Sequence, residues 1–227
     1  VYGFLSMMVK LLDTDHPSHI AVAFDAHRES FRNELYPEYK GTRAAAPPEF
    51  EGQVDLIKKV LTSLGIKSTE TPGYEADDII ATLATRAGEE GFEVLIASGD
   101  RDTFQLINDK TTVIYPGRST ADLVYMTPEK VLERYGLPPA QYPEIAALVG
   151  ETSDNLPGVP GVGAKTAAQW LTKHGGLDAL LENADKVTGK RGEAFREHLD
   201  DVRTNRKLNH LLTDMELELQ PDDCLAS

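Results

Sequence analysis

The chain has 227 residues, 41% of them hydrophobic and 26% charged, with a formal net charge of −14. That composition builds a globular core. An acidic surface excludes a protein that grips nucleic acid by bulk positive charge, while leaving room for a local basic patch or bound cations. The one cysteine, Cys224, excludes a disulfide framework and a cysteine-built zinc or iron–sulfur site and fits a reducing compartment. No run of about 18 apolar residues is present to span a membrane. No signal peptide opens the chain, which starts at Val1 and reads as a fragment. The length suits a main domain with a smaller subdomain.

In chain order, apolar residues at 4, 5, 7, 8, 11 and 12 predict a helix over 2–12. HIAVAF (19–24) reads as a buried strand that ends at Asp25. Residues 26–50 interleave Arg28, Arg32, Lys40 and Arg43 with Phe31, Tyr36, Tyr39 and Phe50, and their prolines and glycine predict short helical pieces or a mobile loop. A helix follows over 51–64, closed by Gly65. Another spans 75–87, ended by Gly88, with a short strand over 66–69 before it. Strands are expected over 93–97 and 112–115, and a helix over 128–135. Beyond about 144 the pattern holds no convincing strand, and helices are expected at 143–149, 164–173, 176–182 and 192–201. Alternating strands and helices predict an α/β fold with a mostly parallel sheet. The boundary to a helical subdomain is expected near 145, giving 1–145 and 146–227.

In a parallel sheet, function gathers beyond the carboxyl ends of the strands. Asp25 follows one strand, and Asp100 and Asp102 follow another on a glycine-containing loop. Glu75, Asp77 and Asp78 open a helix, where acids also serve the helix dipole alone. Six carboxylates at one edge coexist in ionised form when divalent cations neutralise them. Oxygen ligands without His or Cys indicate Mg²⁺ or Mn²⁺. Two carboxylate-held metals are an established arrangement for phosphodiester cleavage.

The segment 150–168 contains Gly158, Gly161 and Gly163 and then Lys165 and Thr166 at the start of a helix. Glycines allow close backbone approach, and a helix N-terminus offers N–H groups to phosphate. The spacing is neither a Rossmann nor a Walker pattern. Trp170 reads as core. Residues 186–207 hold seven Lys or Arg against four acids, either a phosphate-tracking face or a solvated helix surface.

Four segments in order, FDAHRESFRNELYPEYKGTR (24–43), GYEADDIIATLA (73–84), SGDRDTFQL (98–106) and GETSDNLPGVPGVGAKTA (150–167), resemble the structure-specific 5′ nucleases, including the 5′-nuclease domains of bacterial polymerases. The resemblance implies a PIN-like fold with a helix–three-turn–helix subdomain. It implies that Asp25, Glu75, Asp77 and Asp78 serve a first metal site and its surroundings. Asp100, Asp102 and Asp154 would serve a second, with Glu151 standing where the family usually has Asp. Lys40 and Arg43 would lie on an arch or gateway (26–50) and meet the scissile phosphate. Tyr39 would stack on a terminal base and Arg32 would contact phosphate. Residues 158–167, with Gly158, Gly161, Gly163, Lys165 and Thr166, would hold duplex DNA, with K⁺ at the turn. The implied substrates are DNA with a 5′ flap, a nick or an RNA primer. The implied setting is a monomer in the bacterial cytoplasm, associated with the nucleoid and fused to or working with a polymerase.

The family pattern begins with a strand carrying an Asp-Gly motif, and this chain starts at the helix after it. A protein that lacked this strand would have an open slot in the sheet and an incomplete first metal site; a fragment is the expected reading, and a catalytically silent DNA-binding scaffold is the rival one. A metal phosphatase lacks its D-x-D-x-T context here. A small RNA nuclease would have no use for the 158–167 segment.

Overall fold

The structure, a computed structural model, describes residues 2–43, 51–117 and 122–226. Residues 44–50 of the expected gateway lie outside the described residues. The chain opens with helix α1 (Tyr2–Asp15), which places Phe4 and Met8 against the apolar group of Ile57, Leu61 and Ile66. Strand β1 (Ala21–Ala23) and the short helix α2 (Phe31–Leu35) follow. Ser30 caps α2, accepting from the Arg32 N–H at 3.2 Å, while Asn33 accepts from the Ser30 N–H at 3.0 Å. Helix α3 (Glu51–Ser63) ends at Gly65, whose φ of +75° supplies the left-handed turn. Strand β2 (Lys67–Thr69) then pairs in parallel with β1, Val22 opposite Ser68.

Helix α4 (Ala76–Glu89) runs through Gly88, the expected stop. The left-handed turn is taken at Gly91 (φ +94°), so the terminating glycine is the later of two candidates. Strand β3 (Val94–Ala97) pairs in parallel with β4 (Thr111–Pro116), and a 3₁₀ turn over Arg101–Leu106 connects them. Strand β5 (Leu123–Met126), not expected from the sequence, returns antiparallel to β4. Helix α5 (Pro128–Tyr135) has the N-cap Thr127, proline at its first position and a left-handed Gly136 at its end.

The described strands thus form two small sheets, β1–β2 and β3–β4–β5, not one continuous sheet. Between β1 and β3 runs an apolar cleft of about 350 Å³, lined by Met8, Leu11, Val22, Ile80 and Ile96 among others.

Helix α6 (Tyr142–Val149) is the spine on which sheet and helices meet. Six of its eight residues are buried. Ala146 joins the core that holds Ile96, Phe104 and Val113, while Ile145, Ala147 and Leu148 join the core of the helical part. Leu148→Ala in such a core costs about 2–5 kcal/mol. The helical part continues through α7 (Ala164–His174), α8 (Leu177–Glu182), α9 (Gly189–Glu197) and α10 (Leu199–Leu208). The single helix expected over 192–201 is in fact α9 and α10, broken at His198, whose side-chain Nδ1 lies 2.7 Å from the Ala194 carbonyl oxygen. Trp170 packs on buried Phe195, ring centroids 5.4 Å apart.

Candidate metal centre and nucleic-acid interface

The loop after β3 sets Asp100 and Asp102 two residues apart at the start of a 3₁₀ turn. Asp100 caps the 3₁₀ turn, its Oδ1 accepting from the Asp102 N–H at 2.8 Å. The second contributor is the loop after α6. Gly150 (φ +83°) turns the chain, and Glu151 forms an isolated bridge with Leu156. Asn155 takes a left-handed conformation at φ +58°, which Asn tolerates better than most residues. The tight loop brings Glu151 to Asp100 and Asp102, with one oxygen of each lying within 4.8 Å of the others.

The electrostatics follow from crowding. Burial raises the Asp77 carboxyl, the neighbouring Asp100 adds to it, and the result is pushed up to about 8. Burial and then Asp154 push Glu151 up to about 8 as well. Asp102 is 5% exposed, and burial followed by Glu151 raises it well above the usual carboxylate range. Asp154 is raised too, by burial and then by Asp100. Asp77, Asp100, Asp102, Glu151 and Asp154 therefore form one interacting group. Asp102 Oδ1 and Glu151 Oε1 are buried without a hydrogen-bond partner. Orphaned, crowded carboxylate oxygens fit a hard divalent cation.

Cations border this group. Lys40 pairs with Glu75. Burial pulls its ammonium down, Glu75 outweighs that, and the net shift is upward. Arg43 donates from Nη2 to Asp154 Oδ1 at 2.9 Å and from Nε to the Ser153 carbonyl at 2.8 Å. The Lys40 N–H donates to the Asp154 carbonyl at 2.8 Å, with Lys40 itself at φ +57°. Asn155 Nδ2 donates to the Glu38 carbonyl at 2.9 Å. The 38–43 segment is thus stitched to the loop that carries Glu151 and Asp154.

Four expected site residues are engaged by the protein's own groups. Arg32, expected on phosphate, is 1% exposed. Its guanidinium donates to Glu75, to both oxygens of Asp78 and to the carbonyls of Leu208 and His210. Asp78 is fully buried on that fork and also accepts from the Leu212 N–H at 3.0 Å. Its oxygens are taken up by the protein, and it does not join the carboxylate group. Tyr39, expected to stack on a base, is buried with Leu156 and Leu208, its hydroxyl 3.3 Å from Glu75. Asp25 is exposed and its Oδ1 accepts from the Ala76 N–H at 2.6 Å, so it caps the first turn of α4. The burial of Arg32 had no local signal, because its partners lie 43 to 178 residues away in sequence.

In the glycine segment the reasons differ from residue to residue. Gly158 lies against the Val149 carbonyl, which a Cβ would overlap. Gly161 sits at φ +80°, and its carbonyl accepts from Arg191 Nε at 2.8 Å. Gly163 caps α7 in ordinary extended conformation with open space around it. Lys165 is exposed and Thr166 half-buried in the first turn of α7. That turn carries no acid, so its N–H groups and dipole are open to an anion.

Residues 1–136 match the family described as 5′-3′ exonuclease, N-terminal resolvase-like domain, and residues 137–227 match 5′-3′ exonuclease, C-terminal SAM fold. DNA polymerase I of Mycobacterium tuberculosis is 52% identical over 222 residues, covering 98% of this chain and 25% of the relative. That of Bacillus subtilis is 43% identical over 220 residues, covering 96% and 25%. The chain therefore spans about a quarter of the length of these curated relatives. Among solved structures, zinc-bound T5 5′-exonuclease superposes with a TM-score of 0.76 at 22% identity, covering 92% of this chain and 80% of that one. The catalytic core of Rad2 with DNA superposes at 0.59 and 18% identity, covering 97% and 74%. The fold is a resolvase-like PIN-type domain followed by a SAM-like helical domain.

Proposed function

The chain belongs to the 5′-3′ exonuclease family, and from that premise we propose that it is a divalent-metal-dependent, structure-specific 5′ nuclease. It hydrolyses phosphodiester bonds in DNA with a 5′ flap, a nick or an RNA primer, during replication and repair. The observation that carries this reading is the Asp100–Asp102–Glu151 group, with one oxygen of each within 4.8 Å of the others and with Asp102 Oδ1 and Glu151 Oε1 buried without a hydrogen-bond partner.

Asp77, Asp100, Asp102, Glu151 and Asp154 hold the cations, with Mg²⁺ or Mn²⁺ the ions that suit an all-oxygen set. When bound there, such ions would supply Lewis-acid stabilisation of the scissile phosphate and an activated water. Glu75 and Asp25 border this centre at the start of α4, and Asp78 with Arg32 fixes the backbone there. Lys40 and Arg43 already sit against metal-side carboxylates, and they face the charge that develops on the phosphate. Gly161, Gly163 and the first turn of α7, with Lys165 and Thr166, receive duplex phosphates, and K⁺ bound before α7 would strengthen that grip. Residues 1–145 supply most of the chemistry, and 146–227 supply the duplex grip together with Glu151 and Asp154 of the acid group.

The relatives named DNA polymerase I make a polymerase the natural partner domain, and the protein acts as a monomer at DNA in the bacterial cytoplasm. No described helix is long and apolar enough to cross a membrane. The test is incubation with labelled flap DNA in Mg²⁺ and in EDTA. Metal-dependent release of a 5′-phosphorylated product supports the reading. Duplex binding without turnover in any divalent metal supports the silent-scaffold alternative instead.

A further inference from the structure

Beside the carboxylate group, and sharing Asp100 and Glu151 with it, lies a cavity of about 630 Å³. Three tyrosines stand in its wall. Tyr115 comes from β4, Tyr135 from the last turn of α5 and Tyr142 from the first turn of α6. Tyr135 and Tyr142 meet edge to face with centroids 5.2 Å apart. Buried Phe104 meets Tyr115 and Tyr142 at 5.4 and 5.6 Å. Such contacts fix the ring planes before any ligand arrives.

Arg101 lines the same cavity. Acids flank it in sequence at 100 and 102, yet among the described residues it makes no ion pair. Its Nε donates to the Tyr115 hydroxyl at 3.2 Å, and its guanidinium carbon lies 5.9 Å from that ring's centroid. The Tyr135 hydroxyl is buried without a hydrogen-bond partner, a costly arrangement that a ligand atom would relieve. None of these four residues has a part in holding the metals or gripping the duplex as described above.

We propose that this cavity is a nucleobase subsite. The base of a nucleotide flanking the scissile phosphate enters it, stacks against the tyrosine wall and is met at its edge by the Arg101 guanidinium and the Tyr135 hydroxyl. The volume is within the range of small-ligand pockets. Aromatic faces with an arginine are the combination that receives unpaired bases. Asp100 and Glu151 share the wall with Arg43 and Arg101, and Arg43 is already paired with Asp154, so the apolar faces and not net charge select the occupant. This inference rests on the nuclease reading above.

The test uses flap DNA carrying 2-aminopurine or an abasic residue on either side of the scissile phosphate. In Ca²⁺, 2-aminopurine at one of the two positions changes fluorescence on binding to the wild-type protein, and the change shrinks with R101A. In Mg²⁺, the abasic residue at that position slows single-turnover cleavage about 10-fold or more, the scale of one lost base stack. That ratio falls at least about threefold in R101A and in Y135F, which keeps the ring and its packing. Unchanged fluorescence at both positions, or an undiminished ratio in both variants, overturns the subsite. Normal fluorescence changes with no cleavage of any substrate contradict the nuclease reading alone and support the subsite.

Discussion

Arg32 and Asp78 form a two-pronged ion pair, Nη1 to Oδ2 at 2.6 Å and Nη2 to Oδ1 at 2.8 Å, with both side chains out of contact with solvent. The pair joins the short helix α2 to the first turn of α4, and the same guanidinium reaches the carbonyls of Leu208 and His210 beyond α10. One side chain thus ties the 31–43 segment, a helix bearing site acids and the C-terminal segment together. Arg32→Met leaves the Asp78 charge buried and unpaired. Such a loss destabilises by about 3–5 kcal/mol. Denaturant unfolding of this variant is expected to show that drop, with Arg32→Lys also destabilised because an ammonium cannot reproduce the fork. Wild-type stability in Arg32→Met would contradict the structural role.

The crowded acids set a pH dependence. Asp77 and Glu151 titrate near 8 in the folded chain, but near about 4 once unfolded. Between about pH 4 and pH 8 the folded state therefore binds more protons, and stability falls as pH rises. The contribution is fully present below the unfolded values and gone above the folded ones. Chelator-treated protein is expected to show a steadily lower unfolding midpoint from about pH 5 to about pH 8.5. Mg²⁺, which takes the place of those protons, is expected to flatten or reverse that trend. A midpoint that climbs through the interval in EDTA would count against the group.

Asp100→Ala is expected to abolish cleavage while leaving duplex binding largely intact, because α7 and the acid group are separate parts. Lys40→Ala is expected to lower kcat roughly 10²-fold, the scale of one lost electrostatic contact in the transition state. Single-turnover kinetics and binding by anisotropy check both. Wild-type rates in either variant would remove that residue from the site.

The glycines divide into two kinds. Gly158→Ala is expected to lower the unfolding midpoint, since its Cβ would meet the Val149 carbonyl. Gly163→Ala has room and ordinary φ, so its midpoint stays near wild type while duplex affinity falls where the backbone approaches phosphate. Equal midpoints for the two variants would contradict this division.

Much of this was legible in local sequence. Thr127, Pro128 and Gly136 mark both ends of α5, and the acids after β3 read as a cluster because strand ends share an edge. What stayed hidden depends on distant partners. Nothing near Arg32 signals that Leu208 and His210 will claim it. The four apolar-leaning residues of β5 carry no turn signal that fixes their antiparallel return to β4. Gly88 and Gly91 are equivalent stop signals in sequence, and only the continued helical bonding of α4 selects the second. The break at His198, whose ring lies against the Ala194 carbonyl, has no adjacent proline or glycine to mark it.

The most direct measurement is anomalous scattering from crystals of the protein soaked in Mn²⁺. A strong peak among Asp100, Asp102 and Glu151 is predicted, and its loss in Asp100→Ala together with loss of cleavage. Full cleavage activity with Mn²⁺ bound elsewhere and this group empty would contradict the assignment of these carboxylates as the metal centre.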